Sequence, residues 1–91
     1  MKTIVTTKLK FKKDQETIEN LLVTYGFRQI TSNMYIGKLS KKDRNEFEKE
    51  LYNNHQEHDT IIVMPICERC YKNIQQYGNE INLDEEKYVI L

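Results

Sequence analysis

Residues 25–40, YGFRQITSNMYIGKLS, decide how this chain is read. Gly26 stands where a helix-ending glycine belongs, because the left-handed turn that closes a helix suits a residue without Cβ. Residues 27–39 then read as two strands, joined through a polar turn near Ser32 and Asn33. Ser40 with Asp43 three residues on predicts the capped start of another helix. This one stretch therefore ends a helix, turns a hairpin and opens a second helix.

Upstream, KTIVTTKL (residues 2–9) is rich in β-branched residues and predicts a strand. Asp14 is placed to cap the helix that follows, and Ile18, Leu21, Leu22 and Tyr25 recur with the spacing of one helical face. Downstream, Phe47 and Leu51 share a side of a charged helix, and NNHQEHD (53–59) ends it as a polar loop. The unbroken run Ile61, Ile62, Val63 and Met64 reads as a strand buried on both faces, stopped by Pro65. A short helix is expected from about Cys67 to Tyr77, closed by Gly78, and KYVIL (87–91) reads as a last strand. The order predicts an α+β, ferredoxin-like βαββαβ sandwich with an extra C-terminal strand. A leftover strand leaves an open sheet edge unless a second subunit pairs with it, so the reading is a homodimer. The whole chain, 1–91, is one domain, with 78–91 as an extension whose strand adds to the partner subunit.

Composition agrees with a thin core completed by a partner. Apolar residues make up 38% of the chain and charged residues 31%, below and above ordinary globular averages respectively. The net charge of zero conceals two halves. Residues 1–44 carry ten Lys and Arg against four Asp and Glu, and residues 45–91 carry four against ten. The first half suits phosphates and the second does not, although two solvated faces attracting each other between subunits would look the same. No apolar stretch approaches the roughly 20 residues of a membrane span, and lysines interrupt the N-terminus too often for a secretory signal. A cytoplasmic location with reduced cysteines is expected.

Three groups of residues compete for a functional role. Cys67 and Cys70 form a Cys-x-x-Cys, and His55 and His58 lie before the strand that precedes it. A zinc ion shared by the two pairs would have to bridge a strand of roughly 20 Å, so no shared metal is expected. A redox pair at a helix start is formally met, but no thioredoxin-like order surrounds it. Cys67, Cys70, Tyr71 and Ile74 fall on one helical stripe, so packing of both sulfurs into the core is the favoured reading. The histidines have no evident nucleophile beside them and read as solvated loop residues. The basic positions remain. Lys8, Lys10, Lys12 and Lys13 surround the end of the first strand, Arg28 opens the second, and Lys38, Lys41, Lys42 and Arg44 follow the third. Such clusters hold phosphates by charge, without base specificity.

YGFRQITSNMYIGKLS, followed after a charged helix by DTIIVMPICERCYKNIQQYG (59–78), resembles the small CRISPR-associated adaptation protein family, often described as metal-dependent endoribonucleases. The resemblance covers most of the chain and rests on order and spacing. It implies a ferredoxin-like homodimer that binds double-stranded DNA and a CRISPR integrase subunit, and bridges integrase subunits during spacer acquisition in antiviral defence. It also implies an aspartate at the end of the first strand, usually after Tyr, that holds magnesium across the dimer. Here TIVTTKLK places Thr7 and Lys8 at that pair of positions. A charged lysine cannot ligate magnesium, and two facing lysines repel it. No cofactor and weak or absent nuclease activity are therefore expected, with Lys8, Lys10, Lys12, Arg28 and Lys38 as nucleic-acid contacts. Arg28 matches the family's arginine after Tyr-Gly. Two alternatives stand beside this reading. One is an active metal-dependent endoribonuclease or deoxyribonuclease, or a related toxin-type ribonuclease. The other is a dimeric module without nucleic acid.

Overall fold

The computed structural model describes residues 1–83. Elements follow in the order β1 (Lys2–Lys8), α1 (Lys12–Thr24), β2 (Arg28–Thr31), β3 (Met34–Lys38), α2 (Lys41–Asn54), β4 (Thr60–Ile66) and α3 (Glu68–Lys72). The four strands form one sheet in the order β2-β3-β1-β4, and every neighbouring pair is antiparallel. That is the ferredoxin-like order expected from the sequence. The expected KYVIL strand lies outside the described residues.

β1 is central because it is the strand that can be covered on both faces. Thr3, Ile4 and Val5 are all buried. Val5 points into the main core with Ile18 and Leu22 of α1, Phe47 and Leu51 of α2, and Phe27, Tyr35 and Leu39. Phe27 stacks on Phe47 with centroids 5.1 Å apart, and Tyr25 meets the same ring edge-on at 5.3 Å. Fully burying a side chain of this size stabilises a fold by about 1.5–3 kcal/mol, so this trio anchors α2 to the sheet.

The local signals explain the boundaries. Gly26 has φ +84°, the left-handed turn expected after α1. The Ser40 hydroxyl accepts a hydrogen bond from the Asp43 N–H at 3.1 Å and so caps α2. Asp14 does not cap α1. The helix begins after Phe11 without a side-chain cap, and Asp14 lies in its first turn, bonded elsewhere.

The second face of the sheet carries Lys2, Ile4, Thr6 and Lys8 of β1, with Ile36 and Lys38 of β3, Arg28 of β2, and Ile62, Met64 and Ile66 of β4 in register beside them. The chain after β4 returns across this face. Lys2 Nζ lies 4.0 Å from the Tyr71 ring centroid, and Arg28 donates to the carbonyls of Asn82 and Leu83 at 3.1 and 2.8 Å. The return accounts for the burial of Ile4 and Ile36. It does not cover β4, where Ile62 remains 49% and Met64 38% exposed. The expectation of a β4 buried on both faces is thus corrected: among the described residues β4 is an edge strand, and its apolar run is covered on the helix side, where Ile61 and Val63 pack.

Candidate nucleic-acid interface

Strand register separates the predicted phosphate contacts into two places. Lys8 ends β1 and is exposed, on the face opposite the two long helices, across from Thr60. Lys10 follows it, and Lys12 opens α1 after Phe11, both exposed. These three, with Lys13, gather at one end of the sheet because β1 feeds directly into α1 through a connector of only a few residues. Lys38 lies at the other end of the ladder, paired with Lys2, and Arg28 lies toward that end, level with Ile4 through its pairing with Ile36. A strand as long as β1 spans roughly 20 Å, so one phosphate cannot be touched from both ends.

Arg28 is engaged by the chain itself. Its guanidinium fork holds the backbone of Asn82 and Leu83, which pins the returning segment to the sheet. Lys2, opposite Lys38, lies 3.8 Å from the Glu68 carboxylate and stands over Tyr71, which relieves the like-charge pair. Lys38 is exposed.

The cysteines overturn the packing expectation. α3 stops after Lys72, so the stripe from Cys67 to Ile74 never forms one helical face, and both sulfurs are exposed. Cys67 caps α3, its sulfur accepting from the Cys70 N–H at 3.4 Å. That hydrogen bond is the main reason the Cys67 thiol is lowered below its usual value, while its hydrogen bond with Cys67 pushes Cys70 up. The His55/His58 and Cys67/Cys70 pairs lie at opposite ends of β4, as anticipated, with the histidines before Thr60 and the cysteines after Ile66.

One cluster was not legible in the sequence. His58 Nε2 lies 2.8 Å from Asp14 Oδ2 and 3.5 Å from Asp59 Oδ1. It ties the α2–β4 loop to the first turn of α1, beside the lysine group at the end of β1. The His-Asp dipeptide before a strand was its only local signal.

No family model matches the sequence, and no curated protein matches it significantly. Solved structures do. A hypothetical protein from Thermus thermophilus superimposes with a TM-score of 0.73 at 12% identity, over 90% of this chain and 94% of that one. Cas2 from Streptococcus pyogenes gives 0.71 at 15% identity, over 86% of this chain and all of the other. A further Cas2 structure gives 0.68 at 23%, over 88% and 86%. The chain has a Cas2-like fold. Coverage of whole chains in both directions means that the likeness includes the sheet order and both helices rather than one shared motif. Among the described residues, no helix is long and apolar enough to cross a membrane.

Proposed function

We propose that this protein is a structural, double-stranded-DNA-binding subunit of a CRISPR spacer-acquisition complex, acting as a homodimer that bridges integrase subunits. The observation that carries the reading is the whole-chain likeness to Cas2 structures, joined to a basic group at the end of β1. Lys8, at the position where the resembling family carries its metal-binding aspartate, turns a cation site into an anion site. The change is +2 in charge per subunit. Lys8, Lys10 and Lys12 then take phosphates at one end, and Lys38 takes them at the other. Arg28 adds positive charge while its fork holds the 82–83 backbone. Ile62 and Met64, apolar and exposed on the face opposite the helices, supply the contact between subunits.

The test is a duplex-DNA titration across salt concentrations, run beside a cleavage assay with magnesium or manganese on single-stranded RNA and duplex DNA. Each phosphate neutralised contributes about −0.9 to the slope of log affinity against log salt. Wild type should bind without cutting, and Lys8→Asp should bind more weakly with a slope shallower by about one per subunit. Chelator-sensitive cutting by wild type would overturn the structural reading in favour of an active nuclease. Duplex binding that is weak and indifferent to salt would favour a protein-interaction module. In sedimentation, Ile62→Glu should split the dimer.

A further inference from the structure

We infer that Asp14, His58 and Asp59 form a binding site for one first-row divalent transition-metal ion, which clamps the α2–β4 loop to the start of α1. Residues from two distant parts of the sequence bring three donors together, with Asp14 Oδ2 and Asp59 Oδ1 both against His58 Nε2. All three atoms lie within 4.8 Å of one another. Ligands bound to a common ion at about 2.0–2.2 Å sit about 2.9–3.6 Å apart. The His58 separations, 2.8 Å to Asp14 and 3.5 Å to Asp59, already match that range closely.

The Asp59 carboxylate gives an independent reason to place a cation here. Its side chain is 1% exposed, yet none of its polar contacts is short. The Lys10 N–H reaches Oδ1 at 3.4 Å, the Gln56 N–H reaches Oδ2 at 3.4 Å, and His58 stands at 3.5 Å. The two N–H groups satisfy both oxygens but carry no full positive charge, and among the described residues only His58 offers this buried carboxylate one. A second carboxylate, Asp14, with a side chain only 17% exposed, faces the same imidazole at 2.8 Å, so one histidine stands against two carboxylates. A divalent ion balances both carboxylates.

The remaining features suit a ligand set. The imidazole is held edge-on against the Phe11 ring, with centroids 4.9 Å apart at 84°. The Lys10 and Gln56 N–H groups each hold one oxygen of Asp59, and hydrogen bonds to a ligating carboxylate help fix it around a metal. His58 is 37% exposed, which leaves an entry path from solvent. One nitrogen and two oxygens select manganese, iron, cobalt, nickel or zinc over magnesium and calcium, which prefer all-oxygen sets. Three protein ligands leave coordination positions open to water.

The experiment uses the full chain with Cys67→Ser and Cys70→Ser, so that thiols cannot supply the binding. The protein is stripped with chelator and titrated with cobalt, manganese, zinc and magnesium, by calorimetry and thermal melting, with the visible absorption of cobalt as a third readout. One cobalt ion per chain, a raised melting temperature and no response to magnesium are expected. His58→Gln and Asp59→Asn should each weaken cobalt binding at least tenfold. His55→Gln, in the same loop but with Nδ1 against the carbonyls of Leu51 and Tyr52, should leave it unchanged. If Asp59→Asn does not fold, His58→Gln decides alone. Absence of cobalt binding, binding that survives His58→Gln, or an equal response to magnesium would overturn the assignment. None of these readouts involves DNA, so their failure leaves the proposed function standing.

Discussion

Gly37→Ala probes the contact on which the sheet and α2 depend. A Cβ at residue 37 would lie 3.0 Å from Cδ2 and Cγ of Phe27 and 3.2 Å from its Cα. Ordinary carbon contacts are about 3.5–4.0 Å, so Phe27 must retreat by roughly half an ångström or more. It has little room. Its ring stacks on Phe47, which is fully buried, and its N–H is bonded to the Leu22 carbonyl at 2.9 Å. Overpacking of this kind costs about 1–3 kcal/mol, and the stiffer unfolded chain of alanine returns about 0.4–1 kcal/mol. The net expectation is a loss of about 1–2 kcal/mol, or a melting temperature lower by about 4–15 °C for a domain of this size. Thermal melting at fixed protein concentration measures it. The same substitution made in a Phe27→Ala background should cost about 1 kcal/mol less, because the Cγ and Cδ2 atoms it strikes are gone. An unchanged or raised melting temperature, or an equal cost in both backgrounds, would refute the packing account.

Other expectations follow from single contacts. The Tyr25 hydroxyl donates to the Glu50 carboxylate, which pushes the phenol up to about 12 from an ordinary 10.0. The folded state therefore holds that proton more tightly, so this contribution is intact below pH 10 and fades as pH rises toward about 12. A tyrosinate absorbance titration should show a late-titrating residue that Tyr25→Phe removes. Iodoacetamide near neutral pH should label Cys67 before Cys70, and peptide mapping after partial reaction would show the order. Ser40→Ala removes the only side-chain cap of α2 and should cost about 1 kcal/mol in urea unfolding, with Ser40→Asp restoring most of it.

The features that made this chain resemble a known family are, in the structure, mostly packing devices. Gly26 turns the chain out of α1, and Gly37 makes room for Phe27, so the Tyr-Gly-φ-Arg and aromatic-x-Gly patterns report one interlocked corner of the core. Local chemistry of this kind is visible in sequence, as were the Ser40 cap and the Ser32–Asn33 turn. What sequence concealed depends on distant partners. An unbroken apolar run reads the same in a central strand and in an edge strand with one face covered, and only pairing order tells Ile62 from Ile4. The cysteine stripe failed because α3 ends a turn early. Asp14 looked like a cap because its real partner, His58, is 44 residues away. The candidate lysines were legible as charges, but their division between two ends of β1 came from register. The engagement of Arg28 by residues 82 and 83 depends on a return of the chain that no local spacing encodes.

The position of β4 also bears on how the chain survives its own synthesis. TIIVMPI contains no charged residue, and among the described residues it pairs with β1 alone, which leaves one side of its backbone without a strand partner among those residues. Pro65 is its one built-in interruption. An uncharged, β-rich edge of this kind templates identical segments of other copies into cross-β stacks whenever folding lags. Strong overexpression should therefore favour inclusion bodies, and a charge placed on the exposed face of this strand should reduce them.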